Sequence, residues 1–150
     1  METERPMGAG ELRVVREYLG LSGDQLAALI GVHSRSVRRW ESSQRDEDGR
    51  IRWPVPDGIR ELLEDLERRA AREVDALVAF LETMPEPTVV TYRSDQEVAA
   101  AHPGSRWPAS WYRAIAGRAI QDVPRARVQF LADALTDGGS LLDSLALPET

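Results

Sequence analysis

The sequence predicts a mainly α fold with one minor β element. Three observations predict it. Three short helical patterns crowd the first 41 residues, one long apolar stripe follows between 57 and 83, and only Thr88–Arg93 reads strongly as a strand. In the first helical pattern, Leu12, Val15 and Leu19 fall on one helical face, and Gly20 ends the run as a C-terminal glycine does. Ser22-Gly23-Asp24-Gln25 then spells a capping box, opening a helix from Gly23 to about Ile30 with Leu26, Ala27 and Ile30 inward. Gly31 breaks it, and after Val32 and His33 a third helix runs from about Ser34 to Glu41.

Residues 42–56 turn polar and end in Trp53-Pro54-Val55-Pro56, which cannot be helix interior; they read as a linker packed down by Trp53. Asp57 is placed to cap the next helix. There Ile59, Leu62, Leu63, Leu66, Ala70, Val74, Leu77, Val78 and Leu81 recur at the helical period to about Glu82. Met84-Pro85-Glu86-Pro87 stops it, and the strand Thr88–Arg93 follows. A second capping box, Ser94-Asp95-Gln96-Glu97, opens a short helix to about Ala101; Pro103-Gly104 makes a turn; Ser110 caps a helix through Trp111, Ile115, Ala119 and Ile120. Residues 124–135 fit a strand and a helix equally, and 138–150 read as a loosely held tail.

Composition narrows the chemistry. Cysteine is absent, which removes disulfides, thiolate metal sites and cysteine nucleophiles. The two histidines, His33 and His102, are too far apart for a local metal motif, and no nucleophile–base pair or phosphate loop stands out. No metal, no cofactor and no enzymatic activity are expected. The longest apolar run, Ala76–Leu81, is too short to span a bilayer, and the acidic start Met1-Glu2-Thr3-Glu4 lacks the basic entry of a signal peptide, so a cytoplasmic location is expected.

Net charge is −6, but its distribution matters more than its sum. Residues 1–56 balance nine arginines with nine acids, so the acidity belongs to the later chain; lysine is missing throughout, which reads as genomic composition. On the third helix, steps of 100° put Ser34, Arg38, Arg35 and Arg39 within an arc of about 140°, with Val37 and Trp40 on the core side. Within 33–45, four arginines face one glutamate, a local +3 that suits a DNA major groove.

The stretch Leu21–Glu41, LSGDQLAALIGVHSRSVRRWE, resembles the helix-turn-helix of the phage repressor and Cro family, through Leu21, Ser22, Leu26, Ala27, Ile30, Gly31, Val32, Ser36, Val37, Trp40 and Glu41. The resemblance implies base contacts by Ser34, Arg35 and Arg39, the two arginines on guanine O6 and N7. Phosphate contacts fall on Arg38, Arg45, His33 and the amides at Ser22 and Gly23. Two positions depart from the pattern. Gly23 replaces a phosphate-binding glutamine, and His33 replaces the cap serine, which shifts the expected cap to Ser34. The resemblance also implies a buried ion pair between Arg16 and Glu41.

Over roughly residues 10–122, Trp40-Glu41, Val55-Pro56-Asp57, Val90–Arg93, Ala100–Pro103 and Ser110-Trp111 are similar in layout to the anti-CRISPR-associated autorepressors and related bacterial proteins. That layout implies a helix-turn-helix domain with linker (1–56), a connecting helix (57–83) and a small C-terminal α/β dimerisation module (84–137). A lone strand has unpaired edges, so Val89–Tyr92 must pair with residues near Val128 or with a second copy. Val89, Val90, Tyr92, Trp111 and Ile115 are the candidate dimer interface. The expected function is a homodimeric, sequence-specific regulator of double-stranded DNA, a repressor of its own or a neighbouring operon. The alternative is an antitoxin or interaction module that holds a partner protein through 84–150; RNA binding stays open. Trp107 and Trp111 are read as packing rather than base-stacking residues, His102 as structural, and Glu61, Glu64, Asp65 and Glu67 as a solvated face.

Overall fold

The computed structural model describes residues 5–136, so the tail at 138–150 lies outside the described residues. It is mainly helical with a small parallel sheet, and the chain divides into two compact units between Glu67 and Arg68, inside its longest helix.

The first unit begins with α1 (Ala9–Tyr18), α2 (Gly23–Ile30) and α3 (Ser34–Glu41). Leu12, Leu19, Leu26, Ala27 and Val37 are the inward side chains, each at most 1% exposed. The first turns of α4 (Ile59–Glu82) add Ile59, Leu63 and Leu66 to the buried set. Ion pairs supplement this small core. Arg60 grips Glu11 with two hydrogen bonds of 3.0 and 2.8 Å, which holds the Glu11 carboxyl below its ordinary range. Helix α4 starts after Gly58, whose φ is +90°, so Asp57 lies one residue outside the capping position expected for it. Its buried stripe is narrower than the period suggested. Leu62 and Val78 fall about 60° or more from its centre and stay partly exposed.

Residues 42–56 are more than a linker. Arg45 and Ile51 form an antiparallel bridge around a tight turn in which Asp46 N–H donates to Arg50 O (2.9 Å) and Gly49 N–H to Asp46 O (3.0 Å). Asp46 Oδ1 also accepts from the amides of Asp48 and Arg50. The Asp48-Gly49 dipeptide carries the turn signal for this hairpin.

In the second unit, β1 (Thr88–Thr91) pairs in parallel with β2 (Arg127–Phe130), Thr88 opposite Arg127 and Thr91 opposite Phe130. A parallel pair needs a long crossover, here supplied by α5 (Asp95–Ala101) and α6 (Ala109–Asp122). The ambiguous stretch 124–135 holds both conformations in turn, because α7 (Leu131–Thr136) follows β2 directly. Ser94 Oγ caps α5 by accepting from Glu97 N–H, while Arg93 N–H donates to the Glu97 carboxylate. The cap of α6 corrects the sequence reading. Ser110 is inside the helix, and Asp95 Oδ1 reaches across to accept from Ala109 N–H at 2.8 Å.

Aromatic side chains fill this unit. Trp107 and Trp111 stack at 4.3 Å, and Tyr92 meets His102 Nε2 through its hydroxyl at 2.8 Å. His102 lies parallel to Tyr112, and its neighbour Pro103-Gly104 forms the expected turn, closed by Ser105 N–H to His102 O. Burial pushes the Tyr92 phenol well above its ordinary pKa.

This packing overturns the interface assigned to Val89, Val90, Tyr92, Trp111 and Ile115. All five are at most 8% exposed within a single chain, and of the two partners expected for the strand it takes the one near Val128, with Val89 opposite Val128. They form part of the core of the single chain and offer almost no surface.

Candidate functional site

The geometry around α3 is set from below by α2. Ser22 Oγ accepts from Gln25 N–H (3.1 Å) and Gln25 Oε1 accepts from Ser22 N–H (2.8 Å), the reciprocal box written in the sequence. The box also consumes the Ser22 amide, which therefore is not available to a phosphate; the Gly23 amide at the helix start has no internal acceptor. Gly31 sits at φ +76°, in the left-handed region, and sends the chain from α2 into α3 within three residues. A Cβ would meet nothing there, so conformation alone demands the glycine.

His33 is the N-cap of α3, without a side-chain cap bond, and Ser34 is the first helical residue. The cap therefore does not shift to Ser34, which stays half-buried at the helix entrance. Val37 is fully buried and Trp40 half-buried on the inner face. On the outer face Arg35, Arg38 and Arg39 are all exposed, as is His33.

From underneath, Arg16 holds the C-terminal end of α3. Its Nε donates to Glu41 Oε2 at 2.9 Å, its Nη2 to Glu41 Oε1 at 2.8 Å, and its Nη1 to Leu21 O at 2.8 Å. The two side chains are only 12% and 10% exposed, and the carboxylate raises the Arg16 pKa. This fork fixes the helix in angle as well as position.

The outer arginines differ in what holds them. Arg35 makes no hydrogen bond, ion pair or ring contact with any described residue. Arg38 reaches Asp24 at 3.3 Å, an open surface pair with both groups at least 66% exposed. Arg39 lies over the Trp53 ring, its guanidinium carbon 4.2 Å from the centroid, and Arg52 approaches the same ring at 5.0 Å. Arg45, expected at a phosphate, instead spends its Nη1 on Gly49 O within its own hairpin. Arg52 was missed by sequence reasoning, which took 42–56 as a linker packed down by Trp53; the Asp-Gly turn was the available signal.

A groove of about 420 Å³ opens beside this surface, lined by Ser22, Gly23, Arg38 and Ser42 among others. Among the described residues no cluster of three or more His, Asp or Glu could hold a metal ion, and no helix is long and apolar enough to cross a membrane. No protein-family model matches the chain, and no curated protein matches it.

Proposed function

We propose that this protein is a sequence-specific DNA-binding regulator that acts as a homodimer and represses its own or a neighbouring operon. One observation carries the reading. Helix α3 buries Val37 on one face and leaves three arginines exposed on the other, and a bidentate ion pair fixes its orientation. Such a helix fits a major groove, and the residues at its N-terminal end are the ones that reach base edges. Ser34 and Arg35 occupy that end, and the unpartnered Arg35 guanidinium is the first candidate for guanine O6 and N7. The acidic total is no obstacle, since charge acts through its local arrangement. Dimerisation belongs to the proposal because two recognition helices read paired half-sites. Its surface lies outside the five buried residues named above.

Selection of duplexes from a random-sequence pool, followed by footprinting upstream of the protein's own gene, tests the reading. Arg35→Ala is expected to cost about 1–3 kcal/mol on the selected duplex and to relax preference at one base pair. Failure to enrich any duplex, or equal loss on selected and random DNA for this variant, would count against it.

A further inference from the structure

The stacking of Arg39 and Arg52 on Trp53 has no role in the reading above. Both guanidiniums approach one half-buried indole, at 4.2 and 5.0 Å, so they stand no more than about 9 Å apart. Both are exposed, and no described carboxylate pairs with either. The ring's electron-rich face offsets part of their mutual repulsion. What remains is a pre-formed, unneutralised double cation.

Its position says which anion fits. Arg39 is on the last turn of α3, two residues before the helix ends at Glu41. A recognition helix reads bases from its N-terminal residues, so its last turn lies toward the sugar–phosphate backbone. There the helix dipole is negative and the free backbone groups are carbonyls, so the helix end itself repels phosphate. Side-chain cations must supply the attraction. Arg52 comes from the hairpin stem, whose register is set by Arg52 N–H donating to Gln44 O at 2.7 Å. The hairpin tip carries Asp46, Glu47 and Asp48, which phosphates repel, so the stem rather than the tip faces the duplex.

We infer that Arg39 and Arg52, held on Trp53, form a clamp for the phosphate backbone of double-stranded DNA where α3 leaves the groove. The inference rests on the DNA-binding reading. It moves Arg39 from base reading to backbone contact and makes Trp53 a positioning residue. It also adds the hairpin to the binding surface.

The test measures affinity for a random-sequence 30-bp duplex by fluorescence anisotropy across a salt series, using the full chain. Arg39→Gln and Arg52→Gln each lower the magnitude of the salt slope by about 0.9 and leave the base preference of the selected duplex unchanged. Trp53→Ala weakens binding to every duplex alike, and Trp53→Phe, which restores a ring face, recovers it; a circular-dichroism melt of each variant separates this from loss of fold. An unchanged slope in Arg52→Gln, or lost base preference in Arg39→Gln, overturns the clamp while the wild-type protein still binds DNA. A wild-type protein that binds no duplex at 50 mM salt overturns the DNA reading and the clamp with it.

Discussion

The two units of this chain use the same residue types for opposite purposes. In the second, Trp107 and Trp111 stack against each other in the interior, and Tyr92, His102 and Tyr112 close a ring cluster beside them. In the first, Trp40 and Trp53 stay half-buried, and Trp53 presents its face to guanidiniums. Arginine divides just as sharply within the first unit. Arg16 and Arg60 are locked by bidentate carboxylates, whereas Arg35, Arg39 and Arg52 on the α3 and hairpin side have none. Aromatic rings packed on one another in an interior leave little for a partner. A surface whose cations lack counterions is unfinished until an anion arrives.

If that division is real, the first unit should depend most on its ion-pair lock. Glu41→Ala strands the Arg16 guanidinium with Leu21 O as its one remaining acceptor, in a site almost closed to water. Breaking such a pair costs about 3–5 kcal/mol. Urea denaturation of the full chain, followed by far-ultraviolet circular dichroism, measures it. A loss below about 1 kcal/mol would show that the pair is solvated in practice and that α3 is held by Val37 and its apolar neighbours alone.

Among the described residues the second unit has one buried carboxylate, and its sign runs the other way. Glu73 is 8% exposed; Trp111 Nε1–H donates to its Oε2 at 3.2 Å. Arg69 Nε forms an ion pair with Oε1 at 3.4 Å but off the hydrogen-bond direction, so neither of those two atoms has a hydrogen-bond partner. Burial raises the Glu73 pKa, with the Trp111 bond and Arg69 opposing it. A carboxyl with a raised folded pKa stabilises the fold below its unfolded pKa, and that contribution is lost as pH rises through the folded pKa. Glu73→Gln keeps an acceptor for Trp111 and removes the charge. It should stabilise by about 1 kcal/mol at neutral pH, and the advantage should shrink toward zero as pH falls through the carboxylate range. Destabilisation at neutral pH would mean that the Arg69 attraction outweighs burial. Glu11, held low by Arg60, behaves oppositely: its contribution is present above its unfolded pKa and fades as pH falls.

What the sequence made legible follows from how local each signal is. The bounds of α2 and α3, the Ser22–Gln25 box and the α4 period are written in neighbouring residues, and the fold reproduces them. The cap of α6 is not, because Asp95 supplies it from fourteen residues away. The interface residues were misplaced for a similar reason. The strand's pattern allowed a partner near Val128 or a second copy without choosing between them, and a buried apolar residue in one chain has the same composition as one between two chains. At the candidate site, the direction of the arginine arc was readable from 100° steps, but the partners that sort Arg35, Arg38 and Arg39 into free, weakly paired and stacked come from α2 and the hairpin.

The smallest expected effect lies at the joint between α3 and the hairpin. Ser43 has φ +56°, the one described non-glycine residue in the left-handed region, directly after the C-cap Ser42, whose hydroxyl donates to Arg39 O at 2.7 Å. A side chain in that conformation costs about 1–2 kcal/mol, and glycine would relieve it while adding freedom to the unfolded chain that costs about 0.4–1 kcal/mol. Ser43→Gly should therefore stabilise by roughly 0.5 kcal/mol, seen as a small rise in melting temperature. Ser43→Asn tolerates the same φ with less freedom and separates strain from flexibility. If glycine raises the melting temperature but weakens DNA binding while asparagine keeps binding intact, the restricted backbone at position 43, rather than its strain, holds the hairpin, and with it Arg52, in register with α3. If both variants bind like wild type, the Trp53 stack aligns the two elements without help from the backbone.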